Sequence, residues 1–403
     1  MSAEAAALHI APQPWMTAPA TEAVLKALGG EGRFVGGCVR DALLGRAVGD
    51  IDIATPLAPD EVTRRLAASG IKVVPTGLTH GTVTAVASGQ PFEITTLRRD
   101  VETDGRHARV AFTEDWAADA ARRDFTMNAL FLDAAGAVFD PVGGLADLRA
   151  HRVCFVGDPT TRIREDVLRI LRFYRFHAHY GEGEADPAAR AACRALAQAL
   201  PNLSRERVAA ELMKLLAAPD PLPTLELMQE DSVLTAILPE ARHLDRLAAL
   251  IPIEPTPDPL RRLAALTDGS AETVAERLRM SHADRERLKF LEAPPFPIDL
   301  AGDEHTQHRA IYRLSAQGYR DLVLLQAAED RAGDRARALL AQAARWPAPV
   351  FPLRGADITA AGVPAGPQVG RLLAEIEAWW EAGDFAADRD QCLAELKTRL
   401  DRR

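Results

Sequence analysis

Asp50-Ile51-Asp52-Ile53 carries two carboxylates two residues apart. On a strand, alternate side chains share a face, so Ile51 and Ile53 turn into a core while Asp50 and Asp52 project together. Two bare carboxylates so placed repel each other, and a cation between them relieves the cost. Hard oxygen ligands suit Mg²⁺, which commonly takes one or two carboxylates and completes its shell with substrate phosphate oxygens. Such a pair serves in-line phosphoryl displacement, in which two ions activate the attacking hydroxyl and steady the leaving oxygen. Taken alone, a solvated strand end is the favoured reading of the pair. The preceding run, Phe34-Val35-Gly36-Gly37-Cys38-Val39-Arg40-Asp41, favours the metal reading. It reads as strand, glycine turn and helix, with free N–H groups for an anion and Arg40 as a forked phosphate contact. An ordinary tight turn is the alternative for that segment by itself.

Three further groups carry candidate chemistry. Phe92-Glu93-Ile94-Thr95-Thr96 alternates apolar and polar, so Glu93 lies on a polar sheet face, either as a third acidic member or as a surface glutamate. Arg122-Arg123-Asp124 puts two guanidiniums beside a carboxylate just before a strand, and a salt-bridged helix end is the competing reading. Asp166, Arg169, Arg172 and Arg175 recur every third residue in a strongly helical run predicted to span 162–180. That row extends roughly 13 Å along a helix axis at 1.5 Å per residue, the reach of a nucleotide from base to triphosphate. Asp166 accepts and Arg169 donates, which suits a base edge, while Arg172 and Arg175 suit phosphates. An exposed, ion-paired helix is the alternative.

The elements that must position these groups change character along the chain. Between residues 31 and 150, short β-rich runs alternate with helical ones: 33–35, 51–54, 73–75, 82–87, 92–97, 110–112 and 129–132, with a helix over 59–69. Beyond about residue 158 the pattern is helical throughout. The 403 residues exceed one ordinary core, and two to four domains is the expectation. Composition is that of a globular chain, with 47% hydrophobic and 26% charged residues and no apolar run long enough to span a membrane. Met1 to Met16 lacks the early basic residues of a secretory signal, so the expected compartment is the cytoplasm. Cys38, Cys154, Cys193 and Cys392 stand far apart, which argues against a zinc site and a disulfide framework. The net charge of −9 does not exclude a nucleic-acid partner, because binding depends on a local basic surface. Val369, Leu372, Leu373, Ile376 and Trp380 follow helical spacing, and Trp379 and Trp380 are expected in a core, with stacking on RNA bases as the alternative.

Taken together, the chain resembles the class II CCA-adding tRNA nucleotidyltransferases and their relatives, the bacterial poly(A) polymerases. Gly36-Gly37-Cys38-Val39-Arg40-Asp41, Asp50-Ile51-Asp52, Arg122-Arg123-Asp124, Glu165-Asp166-Val167-Leu168-Arg169 and Ser204-Arg205-Glu206-Arg207 follow the family's order and spacing. The resemblance implies an α+β (α/β) polymerase-β-like nucleotidyltransferase head followed by an all-α neck, body and tail. The expected boundaries are an N-terminal segment 1–30, head 31–150, neck 151–216, body 217–293 and tail 294–403. It further implies Asp50 and Asp52 as metal ligands for Mg²⁺, with Glu93 as a third catalytic carboxylate. Gly36, Gly37, Arg40, Arg123 and Asp124 would contact the nucleotide, Asp166 and Arg169 its base, and Arg172 and Arg175 its phosphates. The partners would be the tRNA 3′ end, CTP and ATP, with no membrane and no obligate protein partner. Gly77-Leu78-Thr79-His80-Gly81-Thr82 lacks the basic stretch usual in poly(A) polymerases, which favours the tRNA enzyme over that alternative. Asp104-Gly105-Arg106 would be the tip of a flexible loop needed for full CCA synthesis, or merely a hairpin turn. No His-Asp dipeptide occurs, so a fused metal phosphohydrolase domain is not expected.

Overall fold

The computed structural model describes residues 6–77, 81–104 and 107–402, with backbone alone at 75, 76, 100–104 and 107–110. The stretch Leu78-Thr79-His80 and the proposed loop residues Gly105 and Arg106 lie outside the described residues. The chain forms two compact units, Met1–Pro239 and Glu240–Arg403.

The first unit opens with strand β1 (Leu8–His9) and helix α1 (Pro19–Ala27), then β2 (Arg33–Val35), α2 (Gly37–Leu43), β3 (Ile51–Thr55) and α3 (Pro59–Ala68). Strands β4 (Lys72–Gly77), β5 (Thr82–Ala87) and β6 (Gln90–Thr96) follow, then β7 (Arg98–Asp104), β8 (His107–Phe112) and α4 (Trp116–Ala121). Strands β9 (Phe131–Leu132) and β10 (Ala137–Phe139) and helix α5 (Gly144–Arg149) complete the β-containing part. Eight strands form one sheet in the order β1-β10-β9-β2-β3-β6-β5-β4, and β7 pairs with β8 separately. Among the described residues only β3 and β6 run parallel, with Asp52 beside Glu93. Local sequence accounts for much of this. Ile51 and Ile53 alternate into the core, 2% and 0% exposed, and β5 buries every second residue. Pro59 starts α3 as a first helical residue, and Gly70 at φ +72 follows its end.

Helices α6 (Pro159–Glu165), α7 (Arg169–Tyr180), α8 (Pro187–Leu196), α9 (Arg205–Leu216), α10 (Leu222–Glu230) and α11 (Val233–Ile237) finish the first unit. The single helix predicted over 162–180 is corrected here, because Asp166 is extended at φ −151, ψ 107 and separates α6 from α7. Beneath these helices Asp231, wholly buried, accepts from Tyr174 Oη at 2.6 Å, Arg190 Nε at 2.8 Å and Arg194 Nη2 at 2.6 Å.

The named elements of the second unit, among the described residues, are all helices: α12 (Leu244–Leu250), α13 (Pro259–Leu266), α14 (Ala271–Arg277), α15 (His282–Glu292), α16 (Glu304–Glu329), α17 (Gly333–Ala343), α18 (Gly355–Ala360), α19 (Pro367–Ala382) and α20 (Arg389–Asp401). One core gathers Leu291, Ile311, Tyr319, Val323 and Leu339. Another gathers Leu353, Ile358, Leu372, Ile376, Trp380 and Leu396, with Trp379 packed against it, so both tryptophans serve packing. Among the described residues no helix is long and apolar enough to cross a membrane.

Candidate active site

The β3–β6 pairing builds the acidic centre. Asp52 leaves the opposite face of β3 from Ile51 and Ile53, and the parallel register puts Glu93 next to it. Asp50 is exposed and sits one residue ahead of the strand. Burial first, then the Glu93 charge and to a lesser degree Asp50, with Arg123 opposing, together push the Asp52 carboxyl up to about 6. The electrostatics therefore mark a site with surplus negative charge. Among the described residues no three ligating side chains close around one point. Three carboxylates in loose array nevertheless fit a hard divalent cation that draws part of its shell from substrate and water.

The glycine turn lies against this centre. Gly36 adopts φ +73, ψ −127 and caps α2. A Cβ placed there would stand 3.8 Å from Asp52 Oδ2 and 4.0 Å from Arg123 Nη1, so turn, carboxylate and guanidinium converge. Arg123 is held by Asp119, whose Oδ2 accepts from its Nε at 3.1 Å and its Nη2 at 2.7 Å. Cys38 packs beneath, with Sγ 3.7 Å from the Asp52 carbonyl, and burial raises its thiol to about 12. A thiol so held is no nucleophile near neutral pH.

Other predicted contacts have taken protein partners. Arg40, 7% exposed, donates to Asp41, to Asn128 Oδ1 at 2.8 Å and to Tyr180 Oη at 2.6 Å. Asp124 accepts from Asn128 Nδ2 at 3.2 Å and from Arg172, and the Arg172 charge and these bonds hold its carboxyl below the usual range despite burial. Arg175 Nε donates to Glu211 at 2.5 Å. These three arginines therefore hold α2, α7 and α9 together. Asp166 accepts from Arg207 Nη2 at 2.7 Å and from Leu168 N at 3.1 Å, and Arg169 Nη1 donates to Glu165 at 2.5 Å. Asp166 and Arg169 stay neighbours, since Arg169 N donates to the Asp166 carbonyl at 2.9 Å, but they do not share a helix.

Sequence reasoning missed Asp119, Asn128, Arg162, Tyr180 and Glu211. Asp119 was legible, three and four residues before Arg122 and Arg123, the spacing at which helical ion pairs form. Asn128, Tyr180 and Glu211 reach partners far along the chain and left no local mark.

A mixed sheet with a glycine turn beside strand carboxylates, followed by helices, defines a nucleotidyltransferase head with a helical extension. Residues 32–154 match the family model described as the poly A polymerase head domain. Residues 184–244 match the one described as the probable RNA and SrmB-binding site of polymerase A. The chain is 33% identical over 372 residues to the mitochondrial CCA tRNA nucleotidyltransferase 1 of Danio rerio, covering 90% of this chain and 86% of the relative. It is 32% identical over 379 residues to the CCA-adding enzyme of Levilactobacillus brevis, covering 92% and 94%. The crystal structure of the Bacillus stearothermophilus CCA-adding enzyme in complex with CTP superposes with TM-score 0.77 at 26% identity, over 95% of this chain and 98% of that one. The chain belongs to the CCA-adding tRNA nucleotidyltransferase family.

Proposed function

We propose that this enzyme adds CCA to the 3′ end of tRNA from CTP and ATP without a template. The observation that carries the reading is the convergence of Asp52, its neighbour Glu93, the Gly36 turn and Arg123. Support for tRNA as substrate comes from relatives matched over most of their length and named for CCA addition, rather than for poly(A) synthesis.

In this reading Asp50 and Asp52, with Glu93 beside them, hold divalent metal, and Mg²⁺ suits their oxygen donors. When bound, such ions sharpen the attacking 3′-hydroxyl of tRNA and stabilise charge on the transferring phosphoryl group. The protein's own residues do the rest. Gly36 lets the backbone approach the triphosphate, and Arg123, oriented by Asp119, faces its charge. Asp166 and Arg169 present an acceptor and a donor to the base, each steadied by an ionic partner. Arg40 and Asp124 line the nucleotide site and Arg172 and Arg175 lie toward its phosphates, while their ionic partners fix α7 against α2 and α9. Residues 31–150 act as the head, 151–216 as the neck, 217–293 as the body and 294–403 as the tail. A cytoplasmic location fits the four free cysteines, three of them buried, although the Danio rerio relative is named mitochondrial.

The test is incubation of tRNA lacking CCA with Mg²⁺ and each nucleotide. CTP alone should extend it by two residues, and ATP should then add one. ATP-dependent tailing of unrelated RNA would instead identify a poly(A) polymerase. Asp52→Ala should abolish both C and A addition while circular dichroism stays native, and near-normal addition by that variant would remove Asp52 from the metal site.

A further inference from the structure

Arg162 lies on α6 and is 8% exposed, a buried cation between two parts of the pocket. Its Nη2 donates to the main-chain carbonyls of Arg122 and Arg123, the latter at 3.0 Å. These carbonyls lie just past the end of α4, where the helix dipole is negative. Its Nη1 donates to Glu165 Oε1 at 2.9 Å. The other oxygen of Glu165 is taken by Arg169 Nη1 at 2.5 Å, and the same Nη1 donates to the Arg162 carbonyl at 2.8 Å. One guanidinium thus grips the backbone of the residue beside Asp52 and the carboxylate that orients the first residue of α7.

We propose that Arg162 is a positioning residue that ties the phosphate end of the nucleotide pocket to its base end through Glu165. This rests on the reading above, in which Arg123 faces the triphosphate and Arg169 the base. A planar guanidinium presents five donors in a fixed fork and stays charged. It can hold two carbonyls and a carboxylate at once, which a lysine ammonium on a flexible stem cannot match. With the fork intact, α6 cannot shift against residues 122–123 without moving Arg123 and Arg169 together. Base selection and phosphate alignment are therefore set as one geometry.

Arg162→Lys and Glu165→Gln test this with tRNA lacking CCA, each nucleotide in turn, thermal unfolding and a count of active sites. Per active site, Arg162→Lys should lower kcat for CTP and ATP about tenfold to a hundredfold, the scale of a reactant misplaced by about 1 Å. It should also raise UTP or GTP use relative to CTP. Glu165→Gln keeps the carbonyl contacts and should relax selection in the same direction, which covers the case of an unfolded Arg162→Lys. Arg169→Ala combined with Arg162→Lys should cost little more than the worse single change, because both break one link. Wild-type nucleotide preference per active site in both single variants, with only lowered melting temperature or active fraction, would overturn the inference. So would additive losses in the double variant. A wild-type enzyme that adds neither C nor A would overturn the functional reading itself, before any variant is compared.

Discussion

At Gly36 the chain holds φ +73, ψ −127, a backbone region essentially closed to residues with a side chain. Gly37 differs, since it has helical geometry and an added Cβ would meet Arg40 Nη2 at 3.7 Å, an ordinary contact. The two neighbouring glycines should therefore respond differently to alanine. Gly36→Ala should destabilise the protein by about 1–3 kcal/mol and sharply reduce nucleotide addition, whereas Gly37→Ala should unfold near the wild-type midpoint. Urea titration of both variants checks this, and equal midpoints would show that the turn tolerates a side chain. The glycine pair was visible in sequence, but which of the two carries the strained conformation was not. That depends on how β2 delivers the chain to α2 beside Asp52 and Arg123.

The break between α6 and α7 belongs to the scale of elements. Sequence periodicity favours one helix across it, yet the Asp166 side chain accepts from Leu168 N and diverts the backbone. Such local side-chain bonds compete with helical hydrogen bonding. The diversion brings Asp166 to Arg207 on α9, a partner 41 residues away. Farther along α7, His177 is buried, with Nδ1 3.0 Å from Thr224 Oγ1 on α10. Burial, aided by the Arg190 charge, lowers its pKa below the ordinary value of 6.5. The unfolded chain then binds the proton more readily than the native one, so the stabilising contribution is complete above the unfolded value. It is lost as pH falls through 6.5 toward the lower folded value. His177→Gln should therefore flatten the fall in melting temperature between roughly pH 7 and pH 5. Parallel slopes for variant and wild type would mean that other groups set the acid sensitivity.

At the scale of the molecule, each compact unit has its own core, and the second adds a buried ionic lattice. Arg261, 2% exposed, donates to Glu254 at 2.7 Å and to Asp321 at 2.9 Å, and Arg262 donates to Glu254 at 2.5 Å. Arg287 Nη2 reaches both Asp258 at 2.8 Å and Asp321 at 2.7 Å. Removing Arg261 leaves Glu254 with Arg262 alone and Asp321 with Arg287, each short of one partner, a loss below the ~3–5 kcal/mol of a fully broken buried pair. Arg261→Ala should thus lower the unfolding transition of the second unit in calorimetry while leaving that of the first in place. A single transition, unmoved by the change, would contradict a separate, charge-locked second unit.

The acidic strand, the glycine turn and the passage from an α/β region to helices could be read from local order, because alternation, turn residues and 3.6-residue spacing are properties of neighbouring positions. The alternation of Asp50-Ile51-Asp52 was legible for that reason. The pairing of Asp52 with Glu93, the clasp of Arg123 by Asp119 and the capture of Arg40, Arg172 and Arg175 by Tyr180, Asp124 and Glu211 required the folded chain. An arginine looks alike in sequence whether it will meet a phosphate or a carboxylate of its own protein. Only tertiary packing decides which distant counter-charges come within hydrogen-bond reach of it.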